Sequence, residues 1–198
     1  MSKNIVITGA NRGIGLAMCV HFKAQGDNVF ALCRQSSVEL EKLAVNIIED
    51  IDVATDLGIA NMVLALSHVD IDVLVCNAGI LRDESLTELN LATIREQFEV
   101  NAIAPLRVVA SLQSHLNEGA KIALITSRMG SISDNGSGGR YGYRMSKAAL
   151  NAAAMSLSHD LAHNKVAVGV YHPGYVQTDM VNYGGISAQV ILLKNWWG

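Results

Sequence analysis

The chain has 198 residues and a formal net charge of −3, with 50% hydrophobic residues against 17% charged. That balance excludes a disordered chain and fits a single α/β domain spanning residues 1–198. The 15 lysines and arginines are scattered, which argues against a nucleic-acid or membrane-surface partner.

Short β-branched runs alternate with longer segments. Residues 5–7, 29–32, 46–52, 73–76, 122–126 and 166–171 read as strands. They lack a polar alternation, as strands covered on both faces of a parallel sheet do. Segments 15–25, 38–43, 59–67, 89–116 and 143–163 are long enough for crossover helices. The alternation predicts a doubly wound parallel sheet with right-handed crossovers. The Gly- and Ser-rich stretch 131–139 is the most loop-like interior segment.

Cys19, Cys33 and Cys76 form no CxxC pair, and their odd number argues for a reducing, cytoplasmic compartment. No run approaches the roughly 18 apolar residues of a membrane span. His159 and His163 have helical spacing but no third ligand, so no metal is expected.

Thr8-Gly9-Ala10-Asn11-Arg12-Gly13-Ile14-Gly15 joins the first strand to the first helix. Glycines there let the backbone turn sharply and approach a pyrophosphate at the helix N-terminus, where unpaired N–H groups favour anions. The spacing is GxxxGxG, not the GxGxxG of the common dinucleotide fingerprint. Farther on come Asn77-Ala78-Gly79, Asn101, Ser127, the run from Tyr143 to Lys147, and Pro173-Gly174 with Val176 and Thr178. Thr8, Asn77, Ser127 and Pro173 each fall at the carboxyl end of a different strand, the edge where open α/β sheets bind ligands. Tyr143 and Lys147 are four apart and share a helix face. A free phenol, with a pKa of about 10, is a poor base at neutral pH, and a neighbouring ammonium moves it downward.

In this order the motifs resemble the short-chain dehydrogenase/reductase family, with TGxxxGxG, NAG, Asn, Ser, YxxxK and PG followed by Thr. The resemblance extends from residue 3 to about residue 180. Within the family, residues 125–132 and 172–180 look like the C-factor-like branch. The resemblance implies a Rossmann-like domain and an oxidoreductase acting on a small-molecule carbonyl or alcohol. It makes Asn101, Ser127, Tyr143 and Lys147 the catalytic residues. Tyr143 exchanges a proton with the substrate oxygen, Ser127 bonds that oxygen, and Asn101 helps hold Lys147 through water. Cofactor contacts are implied for Gly9, Asn11, Arg12, Gly13, Ile14, Gly15, Asn77, Ala78, Gly79, Tyr143, Lys147, Pro173, Gly174, Val176 and Thr178. Asp52 and Val53 match the positions that meet the adenine.

Eighteen residues on from Gly15 stands Cys33, where an NAD-preferring member commonly carries an acid. Arg34 follows directly and Arg12 lies in the glycine turn, so two guanidiniums favour a 2′-phosphate and NADP(H) over NAD(H). The helices over 89–116 and 148–161 correspond to those that form a four-helix interface in the family, which implies a homodimer or homotetramer. One departure stands out. After Met180 only eighteen residues follow, with no apolar strand to serve as the usual seventh, so the expected sheet has six. Residues 181–187 read as the start of a substrate loop and 188–194 as a short helix. Trp196 and Trp197 either close the exposed sheet edge or form a frayed tail. Because that region selects substrate in the family, an alternative stays open: a dinucleotide-binding signalling or sensor protein with little or no turnover.

Overall fold

The computed structural model describes residues 2–174 and residue 176. Among them, six strands form one fully parallel sheet: β1 (Asn4–Thr8), β2 (Asn28–Leu32), β3 (Asn46–Ile48), β4 (Ile71–Cys76), β5 (Leu116–Ile125) and β6 (Ala167–Tyr171). Their order is β3-β2-β1-β4-β5-β6, so the chain winds outward from β1 in one direction and then in the other. The reversal places a crevice at the carboxyl ends of β1 and β4. Six α-helices connect the strands: α1 (Gly13–Ala24), α2 (Val38–Glu41), α3 (Asp56–Ala65), α4 (Leu91–Phe98), α5 (Ala104–Leu112) and α6 (Tyr141–Asp160).

Alternate strand residues feed two cores, which is why the strands read as unbroken apolar runs. Val6, Leu32, Leu74, Ile122 and Leu124 point to one face and pack with Met62 and Leu66 of the α3 region, Val108 and Leu112 of α5, and Leu150 and Leu157 of α6. Ile5, Ile7, Ala31, Val75 and Ala123 point to the other, against Met18, Cys19 and Phe22 of α1 and Leu40 of α2. Each fully buried aliphatic side chain stabilises the fold by roughly 1.5–3 kcal/mol. All three cysteines are free and buried, and burial pushes the Cys76 thiol up to about 12.

Four boundaries differ from the sequence expectation, each for a local reason. The stretch 89–116 is not one α-helix: a π-helical turn at Glu99–Ile103 separates α4 from α5, and the helix gives way to β5 at Leu116. The early part of β5 is masked in the sequence by Asn117-Glu118-Gly119. The Asn117 amide bonds Asp72 at 2.8 Å and Glu118 pairs with Lys165 at 2.5 Å. β3 stops at Ile48 because Asp50 turns the chain at φ +59°. α2 is a single turn, ended before Ala44 at φ +49°. The expected absence of a seventh strand, the 181–187 loop, the 188–194 helix and the Trp pair lie outside the described residues.

Candidate active site

The glycine turn is built by close approach. Gly9 sits at φ +64°, a conformation that favours glycine, and a Cβ on Gly15 would lie 2.3 Å from the Gly9 carbonyl oxygen. Asn77 and Ala78 donate their N–H groups to Thr8 Oγ1 at 3.1 and 3.2 Å. The Asn77 side-chain amide donates to the Thr8 and Gly9 carbonyls at 3.0 Å each. Asn77 therefore braces the turn from β4, and its own amide N–H groups are spent on that task. Arg12, the N-cap of α1, is extended and offers no side-chain cap, and the first turn of α1 holds no acid. A helix start without a side-chain cap or a first-turn acid is of the kind that suits an anion.

The loop after β2 is strapped to this turn. Asn11 Nδ2 donates to the Gln35 carbonyl at 2.9 Å, and Ser37 Oγ donates to the Asn11 carbonyl at 2.6 Å. Arg12 and Arg34, both exposed, therefore stand on adjoining segments of one rim. Asp52 accepts the Ala54 N–H at 3.0 Å and Val53 is buried, so both form the turn into α3 beside the β2 end. Beyond β6, Gly174 adopts φ +81° and Val176 is buried. Thr178 lies outside the described residues.

The second cluster centres on α6. Lys147 is 5% exposed, and its Nζ donates to the Ile125 carbonyl at 2.7 Å, at the end of β5. It stands 5.9 Å from the centroid of the Tyr143 ring. Burial pulls the Lys147 ammonium down to about 8. The Tyr143 phenol moves the other way: burial raises it, opposed by a hydrogen bond from Ser127 and by the positive charge of Arg140. The downward shift expected from the neighbouring ammonium is not found: burial dominates, and the lowering causes are Ser127 and Arg140. Ser127 Oγ also accepts the Met129 N–H at 3.1 Å, which fixes the hydroxyl at the strand end.

Asn101 lies in the π-helical turn and is fully buried. Its amide bonds both backbone groups of Ile80, at 2.8 Å each, and Ser146 Oγ at 3.1 Å. The Asn101 side chain thus joins the loop after β4 to α6 and does not contact Lys147 directly. A Cβ on Gly79 would lie 3.2 Å from Asn101 Oδ1 and 3.8 Å from Lys147 Nζ, so these three motifs converge.

One central residue carries no motif. Glu84, 5% exposed, accepts hydrogen bonds from Gln97 Nε2 at 2.6 Å and Thr93 Oγ1 at 2.8 Å, and from the Gly142 N–H at 3.2 Å. Its backbone carbonyl accepts the Arg140 N–H at 2.8 Å, and Arg140 pairs with Asp83 at 2.5 Å. Arg140 is at φ +52° and gives α6 no side-chain cap, so Glu84 caps α6 from a separate loop. In the sequence, nothing singles out Glu84 from the charged run Arg82-Asp83-Glu84. No group of three or more His, Cys, Asp or Glu suited to a metal occurs among the described residues.

The sequence model of the short chain dehydrogenase family matches residues 3–185. The 1-hydroxy-2-glutathionyl-2-methyl-3-butene dehydrogenase of Rhodococcus sp. (strain AD45) is 34% identical over 178 residues, covering 89% of this chain and 79% of the relative. The C-signal of Myxococcus xanthus is 45% identical over 113 residues, covering 56% of this chain and 68% of that protein. Among solved structures, the NADPH-bound carbonyl reductase from chicken fatty liver superposes with a TM-score of 0.86 at 27% identity, covering 96% of this chain and 88% of that one.

Proposed function

The chain belongs to the short chain dehydrogenase family, an oxidoreductase family acting on carbonyl and alcohol groups, and from that premise we propose an NADP(H)-dependent carbonyl reductase or alcohol dehydrogenase with Tyr143 as its acid–base group. The observation that carries the proposal is the convergence of Tyr143, Lys147 and Ser127 at the end of β5, beside Gly79. The uncapped start of α1 and the cradle that a Cβ on Gly15 would fill suit a dinucleotide. Bound there, the nicotinamide supplies hydride to a carbonyl carbon or accepts it from an alcohol.

The residues of the chain carry the proton. In reduction, Tyr143 Oη donates its proton to the substrate oxygen as that oxygen takes the electron pair of the C=O π bond. Burial keeps the phenol protonated at neutral pH, which suits this direction. Ser127 donates a hydrogen bond to the same oxygen, and the Lys147 ammonium offsets the charge left on the phenolate. Lys147 also bonds the nicotinamide ribose, while Asn101 holds the loop and the helix in register. Arg12 and Arg34 favour a 2′-phosphate, and the likeness to an NADPH-bound reductase supports that preference. Asp52 and Val53 flank the adenine. Asn11, Gly13, Ile14, Ala78, Pro173, Gly174, Val176 and Thr178 complete the cofactor contacts. The partners proposed are a small carbonyl or alcohol substrate and a second copy of the chain, in a single-domain cytoplasmic protein. Among the described residues, no helix is long and apolar enough to cross a membrane. Ile103, Leu106, Met145 and Met155 are exposed on the π-turn, α5 and α6, which supports a homodimer or homotetramer.

The test is a fluorescence titration with NADPH beside NADH, followed by carbonyl turnover in Tyr143→Phe. Saturable binding that favours NADPH is expected, with kcat falling about 100- to 10,000-fold in the variant while its NADPH affinity stays. Similarity to the C-signal favours a second reading, a dinucleotide-binding signalling protein with little turnover. Binding without turnover on any carbonyl, in the wild-type protein as in the variant, would select it.

A further inference from the structure

We propose that Glu49 is a specificity-determining residue of the cofactor site, presenting from β3 the carboxylate that position 33 lacks and thereby restraining the preference for a 2′-phosphate. The inference rests on the dinucleotide reading above. Although β3 ends at Ile48, the chain continues beside the β2 end: Cys33 donates its N–H to the Ile48 carbonyl at 3.0 Å, Asp50 to the Arg34 carbonyl at 3.3 Å, and Ile51 to the Cys33 carbonyl at 3.0 Å. Residue 49 is held alongside Cys33 and Arg34 by those three bonds. Its Oε1 accepts the Ser36 N–H at 2.5 Å. Ser36 belongs to the loop that Asn11 and Ser37 strap to the glycine turn. The carboxylate thus sits on the same rim as Arg12 and Arg34, and its charge helps to push the Cys33 thiol, already raised by burial, up to about 11.

Two consequences follow from its chemistry. A ribose 2′-hydroxyl is a donor that a carboxylate accepts, whereas a 2′-phosphate is an anion that it repels. The Ser36 N–H is also a donor suited to a phosphate oxygen, and Glu49 already holds it. Arg12 and Arg34 therefore act against an acid in place, and the selectivity of the site is a balance between them.

Glu49→Gln separates charge from scaffolding, because the glutamine carbonyl can still accept the Ser36 N–H. NADPH and NADH are titrated into the wild-type and variant proteins by fluorescence, at low and at high salt. Removing the charge is expected to tighten NADPH about fivefold at low salt, to leave NADH within about twofold, and to show a smaller gain at high salt. Glu49→Ala, which also frees the Ser36 N–H, is expected to tighten NADPH at least as much. A brace with no electrostatic role would instead weaken both cofactors together in Glu49→Ala and change neither in Glu49→Gln. An unmoved ratio in both variants overturns the assignment of Glu49 alone. A wild-type protein that binds neither nucleotide overturns the dinucleotide reading and this inference with it.

Discussion

Two helices of this protein begin on arginines that give no side-chain cap, and the chain treats their N-termini in opposite ways. At α1, Arg12 is extended and gives no side-chain cap, and the first turn holds no acid. At α6, Arg140 is left-handed, and the buried Glu84 carboxylate takes the Gly142 N–H. The same positive helix end is the proposed binding site in one case and a fixed joint in the other. What differs is the supply of an internal carboxylate. α1 starts at the switch point of the sheet, where the proposed dinucleotide would enter, and α6 starts two residues before Tyr143, the proposed proton-transfer residue.

The contrast is sharpened most by filling the α1 end. In Gly15→Val, side-chain atoms would meet the Gly9 carbonyl and the Asn77 amide, at 2.3 and 2.7 Å from the first added carbon. Dinucleotide affinity is expected to fall at least about 100-fold, since the turn must open by overpacking. Titration checks the affinity, and circular dichroism checks that the sheet persists. Breaking the other end has a different signature. Glu84→Ala removes the carboxylate that accepts from Gln97, Thr93 and the Gly142 N–H, leaving Gln97 and Thr93 only their bonds to the Thr93 and Asn90 carbonyls, a loss of about 2–3 kcal/mol. A lower melting temperature and a lower kcat are expected, with the dinucleotide Kd within about threefold of wild type. A Kd that rises as far as in Gly15→Val would mean that the two ends are not independent.

These ends were not equally legible in the sequence. The glycine turn is local, its residues lie within eight positions, and its chemistry is written in residue types that few other structures require. Tyr143 and Lys147 share a turn of helix and are legible for the same reason. The expected six strands of a parallel, doubly wound sheet were legible because alternate residues of each strand face separate cores, leaving apolar runs. Glu84 was invisible because the contact by which it caps α6, to Gly142, spans 58 positions and involves a backbone N–H with no sequence identity. Glu49 was hidden likewise: the search for an acid counts along the chain from Gly15, and this one arrives from the neighbouring strand. The π-turn at Asn101 interrupts a helical pattern with no Gly and with Pro105 only after it, so the residue types announce no break.

Charge on Lys147 gives a smaller and more continuous handle on the α6 side. Its ammonium titrates near 8, while the Tyr143 phenol is raised above its ordinary value of 10. The proposed reduction needs both groups protonated, so its rate should fall as pH rises through about 8, by up to tenfold per unit beyond. Lys147→Arg keeps a cation at every accessible pH. If the variant turns over, its alkaline decline should move above pH 10. A decline that stays near 8 would assign the limb to another group. The sign for stability is the reverse. The folded lysine binds its proton less tightly than the unfolded one, whose pKa is 10.5, so stability rises with pH between about 8 and 10.5.

The smallest expected effect tests the strap that joins the α1 turn to the loop carrying Arg34. Ser37 Oγ accepts the Leu40 N–H at 3.2 Å, capping α2, and donates to the Asn11 carbonyl at 2.6 Å. Ser37→Ala removes both bonds at a half-buried position, and about 1 kcal/mol of stability should go with them. For a domain of this length that is a shift of roughly 2–4 °C in Tm. The cofactor readout is more telling than the melt. Loosening the strap lets the segment bearing Arg34 drift from the segment bearing Arg12, so NADPH should weaken more than NADH, by about two- to threefold. Equal weakening of the two would mean that the loop shapes the whole adenosine pocket, and that the paired arginines do not depend on Ser37 to act together.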